Sequence, residues 1–371
     1  MATTGKNWLQ RIHELPLKGV TKIMNVCGGH ERSITMAGLR KVLPAGIELV
    51  PGPGCPVCIC PEEDVFEAIQ LALNEDIILI AFGDMLRVPV NVPRVRARTL
   101  EQAKAAGADI RPIATPFEAV SIAQQNPDKP VVFFAAGFET TTAPVASMLV
   151  QGVPDNLFIL LSGRLTWPAV AMLLDSGQAG FQTLIAPGHV ATVMGPEEWL
   201  FVPEKHNMPT AIAGFSPESL LAAMYSVLRQ RIEGQNNNGA AFLDNCYPEL
   251  VRAGGNPTAQ AQLEASMEVV DANWRGIGVI PKSGFALSEA YTQHDARKKF
   301  PSYAEDARKR AGEMPPGCDC AKVVLGQIYP DECRLYANAC VPRSPVGPCM
   351  VSDEGACRIW WSGGVRENRG K

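Results

Sequence analysis

Seven short apolar runs rich in β-branched residues punctuate residues 20–215: VTKIMNV, GIELVPG, DIILIAFGD, PVVFFAAGF, NLFILLS, TLIAPG and TAIAGF. They are apolar throughout rather than alternating, and amphipathic stretches such as VFEAIQLALNE and LEQAKAAGA lie between them. A strand without a polar face must be covered on both sides, so the pattern predicts α/β architecture with parallel sheets between helices. Nearly every run ends in a loop carrying Gly, Cys, His or an acid, and ligands of open α/β sheets bind at those carboxyl ends. Function is therefore expected where several such loops converge. A chain of 371 residues exceeds one comfortable core, which predicts two α/β domains, or two plus an appendage, with residues 1–125 and 126–290 as the two. The stretch NPTAQAQLEASMEVVDANWR reads as a helix before the strand-like IGVIPKSGF, and beyond about residue 290 the periodicity fails.

The remaining segment, 291–371, is rich in Cys, Pro and Gly and too small for a core of its own, so something else must hold it together. Six of the eleven cysteines fall there, as C-D-C-(x12)-C-(x6)-C-(x8)-C-(x7)-C from Cys318 to Cys357. An odd cysteine count and an N-terminus without an apolar signal region argue against a secreted disulfide framework and for a cytoplasmic protein. Zinc sites draw on C-x2-C knuckles, of which the tail has none, whereas iron–sulfur clusters accept thiolates at irregular spacing. A cluster, zinc, and disulfides or bare thiols all stay open on spacing, in that order of preference.

GPGCPVCICPEEDV places Cys55 and Cys58 in a C-x-x-C framed by proline and glycine, a pattern suited to thiol–disulfide exchange or metal capture. Pro61 fits the first turn of a helix whose positive end carries Glu62, Glu63 and Asp64. VCGGHERSI ends a strand at Cys27, ahead of a helix expected over 33–43, where a thiol pKa is depressed. Gly28 and Gly29 permit close approach, and His30 is a metal ligand, a base for Cys27, or a solvated loop histidine. FGDMLRVP offers Asp84 and Arg87, GFETT offers Glu139, Thr140 and Thr141, and PGHV offers His189; each residue also reads as a helix cap or loop residue. A net charge of −4 without a basic stripe argues against a nucleic-acid partner, and no run approaches the roughly 18 apolar residues of a membrane span. Neither G-x-x-x-x-G-K-[ST] nor G-x-S-x-G occurs.

Taken in order, CGGH at 27–30, GPGCPVC at 52–58, FGDM at 82–85, GFETT at 137–141, PGHV at 187–190 and PVGPCMVSDEGAC at 345–357 resemble the hydrogenase maturation factor HypD family. The resemblance implies a scaffold that, with the small chaperone HypC, holds iron while it becomes the Fe(CN)2CO unit of [NiFe]-hydrogenases. Cyanide would arrive from HypE working with HypF. It implies a [4Fe-4S] cluster in the C-terminal segment, a transient Fe(II) anchored by Cys27 with His30 beside it, and a Cys55–Cys58 pair relaying electrons. It further implies that the two α/β domains sit around a cleft, which Glu139, Thr140 and His189 would line. Cys320, Cys333, Cys340 and Cys357 are the expected cluster ligands, because Cys318 shares the CDC pair and Cys349 suits a buried structural thiol. Relatives often read CGGHTH; here Glu31 and Arg32 follow His30, and a histidine placed at Glu31 is expected to be tolerated. A thiol–disulfide oxidoreductase and a zinc-stabilised interaction protein are the competing readings.

Overall fold

The computed structural model describes residues 5–93, 96–177, 179–237, 239–310, 312 and 314–369. The strands are β1 (Thr21–Asn25), β2 (Ile47–Pro51), β3 (Ile78–Phe82), β4 (Ile110–Ile113), β5 (Val131–Gly137), β6 (Leu157–Gly163), β7 (Thr183–Pro187), β8 (Thr210–Ala213), β9 (Leu243–Asn245), β10 (Met267–Trp274) and β11 (Gly278–Leu287). Two sheets with all neighbours parallel run β2-β1-β7-β8-β9 and β4-β3-β5-β6, as the apolar runs predict. Both faces of each are buried. Ile23 and Met24 of β1 point into different cores, as do Phe133 and Phe134 of β5.

The sheets do not divide the chain near residue 125. β1 and β2 join β7–β9, while the intervening β3–β6 build the second sheet. The first sheet is thus assembled from chain segments on either side of a complete inserted unit. In each sheet the chain winds one way and then the other, so β1/β7 and β3/β5 are the two points where strand order reverses.

The expected helix NPTAQAQLEASMEVVDANWR is only half helix. Helix Pro257–Ser266 is capped by Asn256, and Met267–Trp274 is a strand pairing antiparallel with β11. Adjacent Val269 and Val270 and the glycine turn at Gly276 and Gly278, both at positive φ, favour the hairpin over continued helix. The helix expected over 33–43 begins instead at Gly28, directly after an extended Cys27, and ends at Met36. Short helices and turns carry the tail, whose cysteines share a core with β3, β5 and β6 while helix Ala356–Ser362 packs on helix Gly28–Met36. Among the described residues no helix is long and apolar enough to cross a membrane.

Candidate functional site

Strand order explains which loops meet. CGGH follows β1 and PGHV follows β7, the adjacent strands at the reversal point of the first sheet, and GPGCPVC follows β2 on the other side of β1. The Val26 N–H donates to the Ile185 carbonyl and the Gly28 N–H to the Gly54 carbonyl, at 3.0 Å each, which locks the three loops together. The approach is so close that a Cβ on Gly54 would strike the Cys27 backbone, and one on Gly28 would strike Glu354 of the tail.

Cys27 is partly buried. Burial, with the Glu354 carboxylate nearby, pushes its thiol up to about 12, against the pull of the His30 and Gly29 amides. The expected low pKa is therefore not a property of this loop; desolvation outweighs the helix end.

His30 is fully buried and is not a solvated loop histidine. Its Nε2 lies 2.9 Å from the Ala213 carbonyl, which can only accept, so Nε2 carries the proton. Nδ1 then presents a lone pair with no hydrogen-bond partner. Burial lowers the imidazole to about 4, so the ring is neutral. Phe215 packs edge-on to His30 at 5.7 Å and lies 4.0 Å from the ring of His189, which burial also lowers and which stacks on Tyr247 at 6.3 Å. Phe215 and Tyr247 were not singled out from sequence, although Phe215 directly ends the run TAIAGF.

Glu31 is not a tolerant position. It is 1% exposed, and its carboxylate accepts from Arg40 at 2.8 Å, Asn25 at 3.1 Å and the Trp360 indole at 2.7 Å.

The second sheet's reversal point carries FGDM after β3 and GFETT after β5. Asp84 accepts the Ser352 hydroxyl at 2.8 Å, and Arg87 donates to the Pro342 carbonyl at 2.7 Å, so this loop grips the tail. Glu139 does not line an open cleft. It is fully buried, accepting the Thr166 N–H at 2.6 Å and the Thr166 hydroxyl at 2.7 Å, and burial holds its carboxyl up to about 7. Thr140 is exposed.

Cys55 and Cys58 are joined as a buried disulfide, 5.3 Å apart at Cα, with Pro56 opening the short helix Pro56–Ile59 between them. That helix packs on the tail helix Cys320–Val324 and on the turn Pro348–Met350. The dithiol and the tail cysteines consequently share one core.

The six tail cysteines are free thiols, five of them buried. Cys318 and Cys320 are 3.2 Å apart at sulfur, and Cys349 contacts Cys320 and Cys357. Cys333 and Cys340 lie within charge range of Cys357. Cys318 and Cys349, outside the expected ligand set, thus belong to the same sulfur group. Among the described residues no three His, Cys, Asp or Glu side chains are arranged for a single metal ion. An all-thiol group wrapped in apolar core has the donor chemistry of an iron–sulfur cluster, and the residues present fit one.

Next to the dithiol, the acids Glu62, Asp64 and Glu67 do more than face a helix dipole. Arg275 and Arg310 bind Glu62 at 3.1 and 2.8 Å, and Arg297 binds Asp64 at 2.7 Å and Glu67 at 3.0 Å.

The HypD family profile, described as "Hydrogenase formation hypA family", matches residues 3–364. Hydrogenase maturation factor HypD of Azotobacter vinelandii is 39% identical, covering 92% of this chain and 89% of that protein. HypD of Rhodobacter capsulatus is 39% identical over 93% and 90%, and HypD of Escherichia coli K12 is 36% identical over 92% and 88%.

Proposed function

The chain belongs to the HypD family of hydrogenase maturation factors, and from that premise we propose that it is the scaffold on which iron is held and dressed with diatomic ligands. The observation that carries the reading is the junction of Cys27, the unpartnered Nδ1 of buried His30, and His189 on loops that interlock with the dithiol loop. Cys27 is the soft anchor for the iron substrate. A bound cation supplies the opposite charge its buried thiolate lacks, so metal binding and proton release are coupled. His30 offers a neutral nitrogen already in the ligating tautomer. The partners proposed are HypC, sharing the iron, and HypE with HypF, delivering cyanide, in the cytoplasm.

Cys320, Cys333, Cys340 and Cys357 are the proposed ligands of a [4Fe-4S] cluster, which when bound would supply electrons one at a time. Reduction of the Cys55–Cys58 bond takes two electrons and two protons and yields two thiols, so two such transfers from an external one-electron donor close the balance. The buried shared core keeps both centres dry.

The test is infrared spectroscopy of the protein isolated anaerobically with its small partner. Wild type is expected to show CN and CO stretches on iron, and Cys27→Ala none. Undiminished bands in Cys27→Ala would remove the anchor. A wild type without bands but with a reversible dithiol would favour the thiol–disulfide oxidoreductase reading.

A further inference from the structure

Arg275 is the buried charge that the site leaves unexplained. It stands between β10 and β11, and its side chain is 0% exposed. A guanidinium is always charged, and burying it is costly unless its N–H groups find acceptors. Nη2 does, reaching the Pro89 carbonyl at 2.6 Å and Glu62 at 3.1 Å. Even that carboxylate is shared, because Arg310 takes its other oxygen at 2.8 Å. Nε and Nη1 reach no acceptor. One N–H on Nε and two on Nη1 are thus left in a dry region.

The surroundings say what kind of acceptor is missing. The Arg275 N–H donates to the Ile59 carbonyl at 3.0 Å, fastening the turn to the dithiol helix. On its other flank a Cβ on Gly276 would come within 3.1 Å of the Ala321 side chain in the tail helix. The turn therefore sits between the dithiol helix, at Ile59, and the tail helix, at Ala321. The guanidinium charge acts on the thiols of Cys60 on one side and Cys318 on the other. The neighbouring carboxylates are already engaged: Asp319 by Lys322, and Asp64 by Arg297 and Ser162. The groups on which the Arg275 charge acts are the sulfurs of Cys60 and Cys318.

We propose that Arg275 is the hydrogen-bond donor and counter-cation of the tail's anionic iron–sulfur centre, a positioning residue held between that centre and the dithiol. The inference rests on the iron–sulfur reading above. Donors and positive charge beside cluster sulfur favour the more reduced state, so Arg275 raises the potential at which the tail accepts an electron. An added electron in a dry core needs such compensation, and a carboxylate there would work against it.

The experiment uses full-length protein purified anaerobically, with iron and sulfide assayed first. In wild type labelled with 15N-arginine, pulsed electron paramagnetic resonance of the reduced cluster is expected to show a 15N coupling. Arg275→Lys keeps the charge but not the guanidinium and is expected to lose that coupling while retaining most of the potential. Arg275→Gln is expected to move the midpoint negative by a tenfold change in the one-electron ratio, about 59 mV. A wild-type cluster without 15N coupling overturns the proposal whether or not either variant folds, as does an unmoved midpoint in cluster-loaded Arg275→Gln. Wild type lacking iron and sulfide would instead overturn the iron–sulfur reading itself, and this proposal with it.

Discussion

Glu31 accepts the indole N–H of Trp360 at 2.7 Å across 329 residues of chain. The same carboxylate takes Arg40, whose guanidinium stacks 5.1 Å from the Trp360 ring. One buried acid thus ties the CGGH helix, β1 through Asn25, and the last helix of the tail into a single unit. Removing it takes the acceptor from the Trp360 indole and the counter-charge from Arg40, which keeps the Leu49 carbonyl and the Thr35 hydroxyl.

Glu31→Ala is therefore expected to cost about 3–5 kcal/mol, the range for breaking a buried pair from one side. Glu31→Gln keeps an acceptor and should cost less, roughly 1–3 kcal/mol. Glu31→His, with one acceptor nitrogen for three donors, should fall near the alanine value. Urea denaturation measures the cost, and limited proteolysis should nick the tail first. A fully stable Glu31→His would refute the tie.

Two buried groups should give opposite pH slopes. Glu139, held up to about 7, keeps a proton that the unfolded chain releases near pH 4.3, so its contribution falls as pH rises between those values. His30, held down to about 4, refuses a proton that the unfolded chain takes up near pH 6.5, so its contribution is lost as pH falls through that window. Each spans roughly 3 kcal/mol. Relative to wild type, Glu139→Gln should gain stability as pH rises from 4.3 to 7, and His30→Met should gain as pH falls from 6.5 to 4. Denaturation curves at several pH values decide it. Difference curves that stay flat would mean both groups titrate normally in the fold.

Much of the fold is legible because a doubly covered strand has a local signature, an unbroken apolar run. Which sheet a run enters has none: β1 and β7 are neighbours although more than a hundred residues separate them, and nothing in VTKIMNV names TLIAP as its partner. MEVVDANW was hidden by Met, Glu and Ala, which suit a helix equally; only pairing with β11 decides the matter. The site was legible as loops at strand ends, since Cys27, His30, Cys55, Cys58 and His189 do converge. Burial was not legible. Whether GFETT presents Glu139 or Thr140 depends on helix Thr166–Asp175, whose first residue captures the acid. Arg275 sits in no recognisable motif, and Glu31 reads as a mere departure beside CGGH, because the partners that bury them, Glu62 and Pro89 for one and Trp360 for the other, are far off in sequence. In VNVPRVR at 90–96, which follows FGDMLRVP, Arg94 and Val95 lie outside the described residues.

Cys58→Ala should separate the dithiol from the tail. Cys58 is 2% exposed and its sulfur is bonded only to Cys55, so its loss should free one thiol and leave the tail's sulfur group assembled. The expected iron-to-protein ratio equals that of wild type, while reversible two-electron thiol oxidation disappears. Iron lost together with the dithiol would make Cys58 a ligand and end the relay reading.

Gly54 tests whether the position of Cys27, and not its thiol alone, matters. Cys27→Ala removes a partly buried sulfur without disturbing the loop backbone, and should cost no more than about 1 kcal/mol. In Gly54→Ala the new Cβ falls on the Cys27 N and Cα, main-chain atoms that cannot swing aside like a side chain. Relief requires parting the Gly28–Gly54 hydrogen bond and moving Cys27 away from His30 and the dithiol loop. Overpacking of this kind costs about 1–3 kcal/mol, so Gly54→Ala should be the less stable of the two although it keeps every thiol. Both variants should lack iron-bound CN and CO bands in the infrared. The sharper readout is iodoacetamide labelling at Cys27, which Gly54→Ala should accelerate severalfold by exposing the sulfur. Unchanged labelling and full infrared bands in Gly54→Ala would show that the loop tolerates displacement, and that Cys27 does not depend on the close approach of these two turns.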